Sequence, residues 1–232
     1  MMMTTNEPIA FENSEISWPR SLRFWLLLIF DIPSIICSVF VLYHLLINRK
    51  SRYALHNHTV ILLLFIALLF QLTDIPWYLD FIQKGSVLPA IPVRCLVWWL
   101  VNLGFYNTAA LVLAWTSIER HILVFHDRWI STRKKRFFVH YLPLIVLISY
   151  SIIYYTIVIF FPPCQHTFIY TLPVCAASPC HLFHRFLGLW EMGVHGCLST
   201  IFVAFFSLAL LVRVIVYKRR RHRVFRWKFY RK

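Results

Sequence analysis

The sequence predicts an all-α membrane protein, a transmembrane bundle of five helices. The 232 residues are 59% hydrophobic and only 14% charged, whereas soluble domains carry roughly a quarter charged residues. Mean hydropathy is +0.65. The apolar residues gather into five runs, each near or above the roughly 20 residues that cross a hydrocarbon layer of about 30 Å. Helices are the expected form, because in lipid every backbone N–H and C=O needs an internal partner and only helices or closed barrels supply one. The short alternating segments of a barrel are absent from the sequence.

The first run, 24–47, follows a polar N-terminal segment, 1–23, that has no apolar stretch ahead of a small-residue cleavage site. No removable signal peptide is therefore expected, and the first helix serves as its own anchor. The second run, 59–81, contains Asp74, Pro76 and Trp77. The third, 95–125, opens on Cys95 and closes on Glu119, Arg120 and His121. The fourth is 137–161. The fifth, 186–217, carries Glu191 and His195 and leads into the basic segment 218–232, "KRRRHRVFRWKFYRK".

The formal net charge is +15, a balance that invites a nucleic-acid reading. That reading is set aside: a basic cluster beside a membrane span is held by anionic lipid at about 1 kcal/mol per Lys or Arg. Orientation follows from the same charges. Arg49, Lys50 and Arg52, then Arg128 and Arg133 to Arg136, then the C-terminal segment fall on one side. The other side has Arg20, Arg23, Lys84, Arg94 and Arg185, diluted by Glu7, Glu12, Glu15 and Asp80. The positive-inside rule puts the N-terminus outside and the C-terminus in the cytoplasm, with the plasma membrane as the expected location. The sequon Asn57-His58-Thr59 then lies at the cytoplasmic edge and is expected to stay unused.

Of the six cysteines, Cys37 and Cys197 lie inside spans and are read as packing residues. Cys164, Cys175 and Cys180 sit in the long segment between the fourth and fifth runs, and Cys95 faces the same oxidising side. Four cysteines allow three connectivities, and the sequence does not select among them. The working pairing is Cys95 with Cys175, leaving Cys164 to Cys180.

Arg120 lies 25 positions after Cys95, so one long helix bears a cysteine at its outer end and an acid-arginine pair at its inner end. This resembles the third helix of rhodopsin-like (family 1, class A) G protein-coupled receptors, where the cysteine is tethered to the second extracellular loop and the inner end bears an acid-Arg-aromatic triplet. The triplet here reads Glu119-Arg120-His121. The resemblance implies that the carboxylate holds the arginine at rest and that the guanidinium is later offered to a heterotrimeric G protein. The chain also departs from the family pattern. The usual mid-helix asparagine, aspartate, tryptophan and proline of helices 1, 2, 4 and 5 are missing, and the lack of the helix 2 aspartate puts in doubt the sodium site that the family builds around it. No sixth or seventh span follows before Lys232, so the sequence is expected to be a receptor truncated after its fifth helix, with two further helices supplied from elsewhere as the alternative, and whether the five-helix form signals is left open by the sequence.

An extracellular ligand is expected in the outer half of the bundle, where intramembrane polar groups mark function. The candidates are Asp74, Trp77, Trp98, Trp99, Asn102, Glu191 and His195. The tryptophans also fit an aromatic belt at the membrane boundary, and Asp31, Asp74 and Glu191 are potential partners of one another. In the resembled family, amine receptors place an aspartate seven residues after the helix 3 cysteine. Asn102 stands there instead, so the resemblance implies a ligand other than a cationic amine. No metal spacing, cofactor motif or catalytic constellation occurs, and an enzyme is not expected. The rival reading is a small multi-span transporter that uses buried carboxylates.

Overall fold

A computed structural model describes residues 18–49, 52, 55–125, 132–176 and 178–230. The N-terminal 1–17, Arg128 and the last two residues of the basic segment lie outside the described residues. The protein is an all-α bundle with five helices long and apolar enough to cross a membrane, which makes it a multi-pass membrane protein.

Helix α1 is Arg20–Ile47 and α2 is Leu55–Lys84. Helix α3 (92–125) joins Pro92–Trp99 to Tyr106–Phe125 through a π-helical stretch, Leu100–Phe105. Helix α4 (133–160) has its π stretch at Phe137–Tyr141. Helix α5 (185–230) has one at Glu191–Leu198. Most helices run past the apolar runs by several residues because polar flanks extend a helix as readily as they end it. The largest extension is in α5, whose backbone stays helical to Tyr230 where a separate basic tail was expected.

Helix α3 is the axis of the assembly. It packs against α2 on one side and against α4 and α5 on the other, while α1 rests chiefly on α2. A hydrogen bond of 2.6 Å from Gln71 Nε2 to Ser34 Oγ joins α1 to α2. Helix α1 buries no residue fully and displays Phe30, Ile36, Phe40 and Tyr43 outward, as a helix surrounded by hydrocarbon requires, since lipid is as apolar as a protein core.

The best-packed region lies at the end of the bundle beneath the segment linking α4 to α5. Phe81, Val87, Trp98, Trp99, Tyr155, Val158, Ile159, Val174 and the two bridged cysteines form one cluster there. Both disulfides take the working pairing, Cys95–Cys175 and Cys164–Cys180. The first pins the linking segment across the end of α3. It does so where the backbone at Val174, Cys175 and Ala176 is left-handed, with φ of 53°, 50° and 83°. For residues with a Cβ that conformation costs about 1–2 kcal/mol each, and it persists because surrounding contacts fix it. One is the bridge itself. Another is the Trp99 Nε1–H, which donates to the Val174 carbonyl at 2.7 Å.

Candidate functional site

The candidate residues fall into three separate clusters, two in the disulfide-bridged half of the bundle and one at the far end.

The first cluster joins α2 to α3. Trp98 Nε1–H donates to Asp74 Oδ1 at 2.8 Å, and Asn102 Nδ2 donates to the same oxygen at 3.1 Å. Four residues separate Trp98 from Asn102, which puts both on the α2-facing side of α3. Trp77 meets Trp98 edge to face at a centroid distance of 5.9 Å, and Arg94 lies 5.9 Å from the Trp77 ring. Asp74 is therefore a buried carboxylate held by two neutral donors, with aromatic faces beside it. Trp99 is buried as fully as Trp98 but points the other way, under the linking segment, stacked on Phe168 at 5.3 Å. The two tryptophans are thus core residues, and neither serves the aromatic belt that their position in sequence also allowed. Trp190 is partly exposed and fits such a belt.

The second cluster centres on Glu191. Asn107 Nδ2 and the Tyr155 hydroxyl donate to Oε1 at 2.7 and 2.6 Å, and His195 Nδ1 lies 2.9 Å from Oε2. His195 Nε2 faces the Tyr150 hydroxyl at 2.9 Å, and that hydroxyl accepts from Trp190 Nε1–H at 2.8 Å. A proton on His195 Nδ1 lets that nitrogen donate to Oε2, so that Glu191 accepts three donors. Glu191 and His195 sit at the first and fifth positions of the π stretch in α5. An inserted residue of this kind re-aims the side chains of a helix and is frequent at functional sites. Of the two arrangements open to Asp31, Asp74 and Glu191, pairing with one another or with water, the first does not form among the described residues. Asp31 lies half-exposed on α1, and the other two are each closed by their own donors.

The third cluster corrects an expectation. Glu119 does not hold Arg120. Its Oε1 is bonded to His140 Nδ1 of α4, and both side chains are fully buried. Arg120 is exposed and forms no ion pair among the described residues. Adjacent helical positions point about 100° apart, so a buried Glu119 directs Arg120 away from it. His121 turns toward α5, with its ring 5.1 Å from Phe125 and 5.9 Å from Phe206.

Asn107, Tyr150, Tyr155 and His140 were not among the sequence candidates, and neither was His58, whose Nδ1 lies 3.2 Å from His140 Nε2 and extends the third cluster to α2. The tyrosines and Asn107 look like ordinary polar residues in apolar runs, and only the approach of three helices shows that they converge. The sequon does lie within a helix: Asn57 to Thr59 belong to the start of α2, with Thr59 buried.

In the linking segment His181 is fully buried, and neither ring nitrogen has a hydrogen-bond partner among the described residues. Burial pushes its imidazole below the ordinary histidine value of 6.5, outweighing the opposite pull of the Glu191 carboxylate, while His166 adds to the downward shift. The native state then binds fewer protons than the unfolded chain, so stability is full above about pH 6.5 and falls as the pH drops below it. We expect the melting temperature to fall on acidification from neutral pH, and His181→Leu to flatten that fall. Circular dichroism melts across this window check it, and an equal acid sensitivity in the variant rules it out.

No protein-family model and no curated protein matches this chain.

Proposed function

We propose that the chain is a rhodopsin-like receptor for an extracellular ligand that couples to a heterotrimeric G protein, with its N-terminus outside the plasma membrane and α5 ending in the cytoplasm. The observation that carries this reading is the architecture of α3. One helix runs from Cys95, bridged to the linking segment, to an exposed Arg120 25 residues away, a distance of about 38 Å at 1.5 Å per residue. A bridged cysteine fixed at one end and an exposed guanidinium at the other suit a helix that transmits a change across a bilayer.

The buried Asp74 and Glu191 clusters in the bridged half support a ligand site there, lined by Trp77, Trp98, Asn102 and His195. Asn102 stands in hydrogen bond to Asp74 and leaves no counter-ion at its own position, in keeping with a ligand other than a cationic amine. Because Glu119 is engaged by His140, Arg120 is not latched, and the reading gains a direct test that needs no ligand. In lipid nanodiscs the full chain should raise basal nucleotide exchange on a purified heterotrimeric G protein. Arg120→Ala should lower that rise about tenfold, the loss of a charge-assisted hydrogen bond of roughly 1.5 kcal/mol or more, at unchanged folding. Exchange no faster than with empty nanodiscs would overturn the proposal.

The transporter reading draws on the same buried carboxylates. Substrate or proton flux into vesicles that vanishes in Asp74→Asn or Glu191→Gln would favour it over the receptor.

A further inference from the structure

We propose that His58, Glu119 and His140 form a proton-binding site that carries one shared proton and uses it to tie α2 to α4 across the Arg120 end of α3. The site stands whether or not Arg120 contacts a G protein.

Its geometry is a line of four polar groups. The Glu119 carboxylate meets His140 Nδ1. His140 Nε2 lies 3.2 Å from His58 Nδ1, and His58 Nε2 lies 2.8 Å from the carbonyl oxygen of Arg52. The ends of this line are both acceptors: a backbone carbonyl never donates, and an ionised carboxylate only accepts. Three gaps separate the four groups, and each gap needs one proton to be a hydrogen bond. Two neutral imidazoles bring only two N–H groups. The third bond therefore requires one further proton, wherever in the line it resides. It can sit on Glu119 as a carboxylic acid, on His140 as imidazolium, or on His58 as imidazolium, and the count is the same. With it, the trio is electrically neutral.

Burial makes the neutral form the favourable one. Glu119 is 1% and His140 0% exposed, and Glu119 Oε2 has no hydrogen-bond partner among the described residues. An ionised carboxylate with one oxygen orphaned in an apolar interior is costly, and a shared proton removes that charge. The other ionisable groups at this end do not replace it. The Tyr141 hydroxyl is 3.5 Å from His58 Nδ1, beyond the range of a good hydrogen bond. Arg120 is exposed, and among the described residues Glu119 is paired with His140 alone. On the α5 side, His121 packs against Phe125 and Phe206, and Arg213 lies over Phe125.

When the pH rises far enough to remove the proton, two N–H groups remain for three gaps. The contact that fails is the one between the two rings, because the carboxylate and the carbonyl are the stronger acceptors and keep theirs. That contact is the link between α2 and α4. Acid thus closes the link and base opens it.

The test is a pH titration of the full chain in lipid nanodiscs with 15N-labelled histidine, read together with the infrared carboxylic acid band. Assignments come from His58→Asn and His140→Asn. Within the pH range where the fold persists there should be a state in which the two rings and the Glu119 carboxyl together hold one proton beyond two neutral imidazoles and a carboxylate. Raising the pH should remove it in a single step that shifts both rings. Glu119→Gln keeps an acceptor but cancels the charge, so both rings should read neutral at the pH where the wild type holds the proton. Tyr141→Phe should change nothing. Two neutral rings beside an ionised carboxylate at every pH where the fold persists would overturn the proposal. So would rings that titrate in separate steps untouched by Glu119→Gln.

Discussion

Replacing Cys95 and Cys175 together with serine is expected to lower stability by about 4–5 kcal/mol, and the corresponding change at Cys164 and Cys180 by about 3 kcal/mol. The ordering follows from the chain each bridge closes, 80 residues in one case and 16 in the other, since the entropy removed from the unfolded chain grows with the logarithm of that length. The first bridge also sits inside the packed cluster with Trp99 and Val174, and it holds the left-handed run at Val174 to Ala176. Without it that run relaxes toward ordinary backbone, and the Trp99 N–H loses the carbonyl it donates to. Thermal melts in detergent, with surface staining of the two double variants in cells, measure the difference. Equal losses, or a greater loss at Cys164 and Cys180, would contradict the central role given to the α3 tether.

Glu191→Ala is expected to be the most damaging single change in the bundle interior, at about 3 kcal/mol or more, because three buried donors lose their acceptor. The alanine strands three donors at once: Asn107 Nδ2, the Tyr155 hydroxyl and His195 Nδ1. Each is buried, and each then bears its own desolvation cost of about 1–3 kcal/mol. Glu191→Gln keeps one oxygen for Asn107 and Tyr155 and should cost distinctly less. Chemical denaturation of the two variants side by side decides the point. An alanine variant as stable as the glutamine variant would mean that the three donors find other partners and that the cluster is not the unit described here.

Much of the fold was legible because a membrane imposes a simple rule. Five apolar runs have to become five helices, and they do, with end points shifted by a few residues. The cysteines were legible in part: three could be placed between the fourth and fifth runs and one at the start of the third, but three pairings remained open until the linking segment was placed across α3. The acid-arginine pair shows the limit of reading along a chain. Glu119 and Arg120 are neighbours in sequence, yet the carboxylate is bonded to a histidine 21 positions away. Nothing near Glu119 in sequence announces His140, and nothing in the second run marks His58 as its continuation.

The amino-acid order alone determined that this chain lies in a membrane, how many helices cross it, and that α3 carries a thiol and a guanidinium at opposite ends. These are properties of composition and of one-dimensional spacing, which hydrocarbon thickness and helical rise convert directly into geometry. The tertiary structure alone decided which polar groups meet. Asp74 with Trp98, Glu191 with Asn107 and Tyr155, and Glu119 with His140 are encounters between different helices. The rotation of each helix about its axis, adjusted by the π stretches in α3, α4 and α5, selects them. That rotation is set by packing against neighbours rather than by the residues' own preferences, because within lipid any outward face is equally apolar and only the inward contacts distinguish one orientation from another.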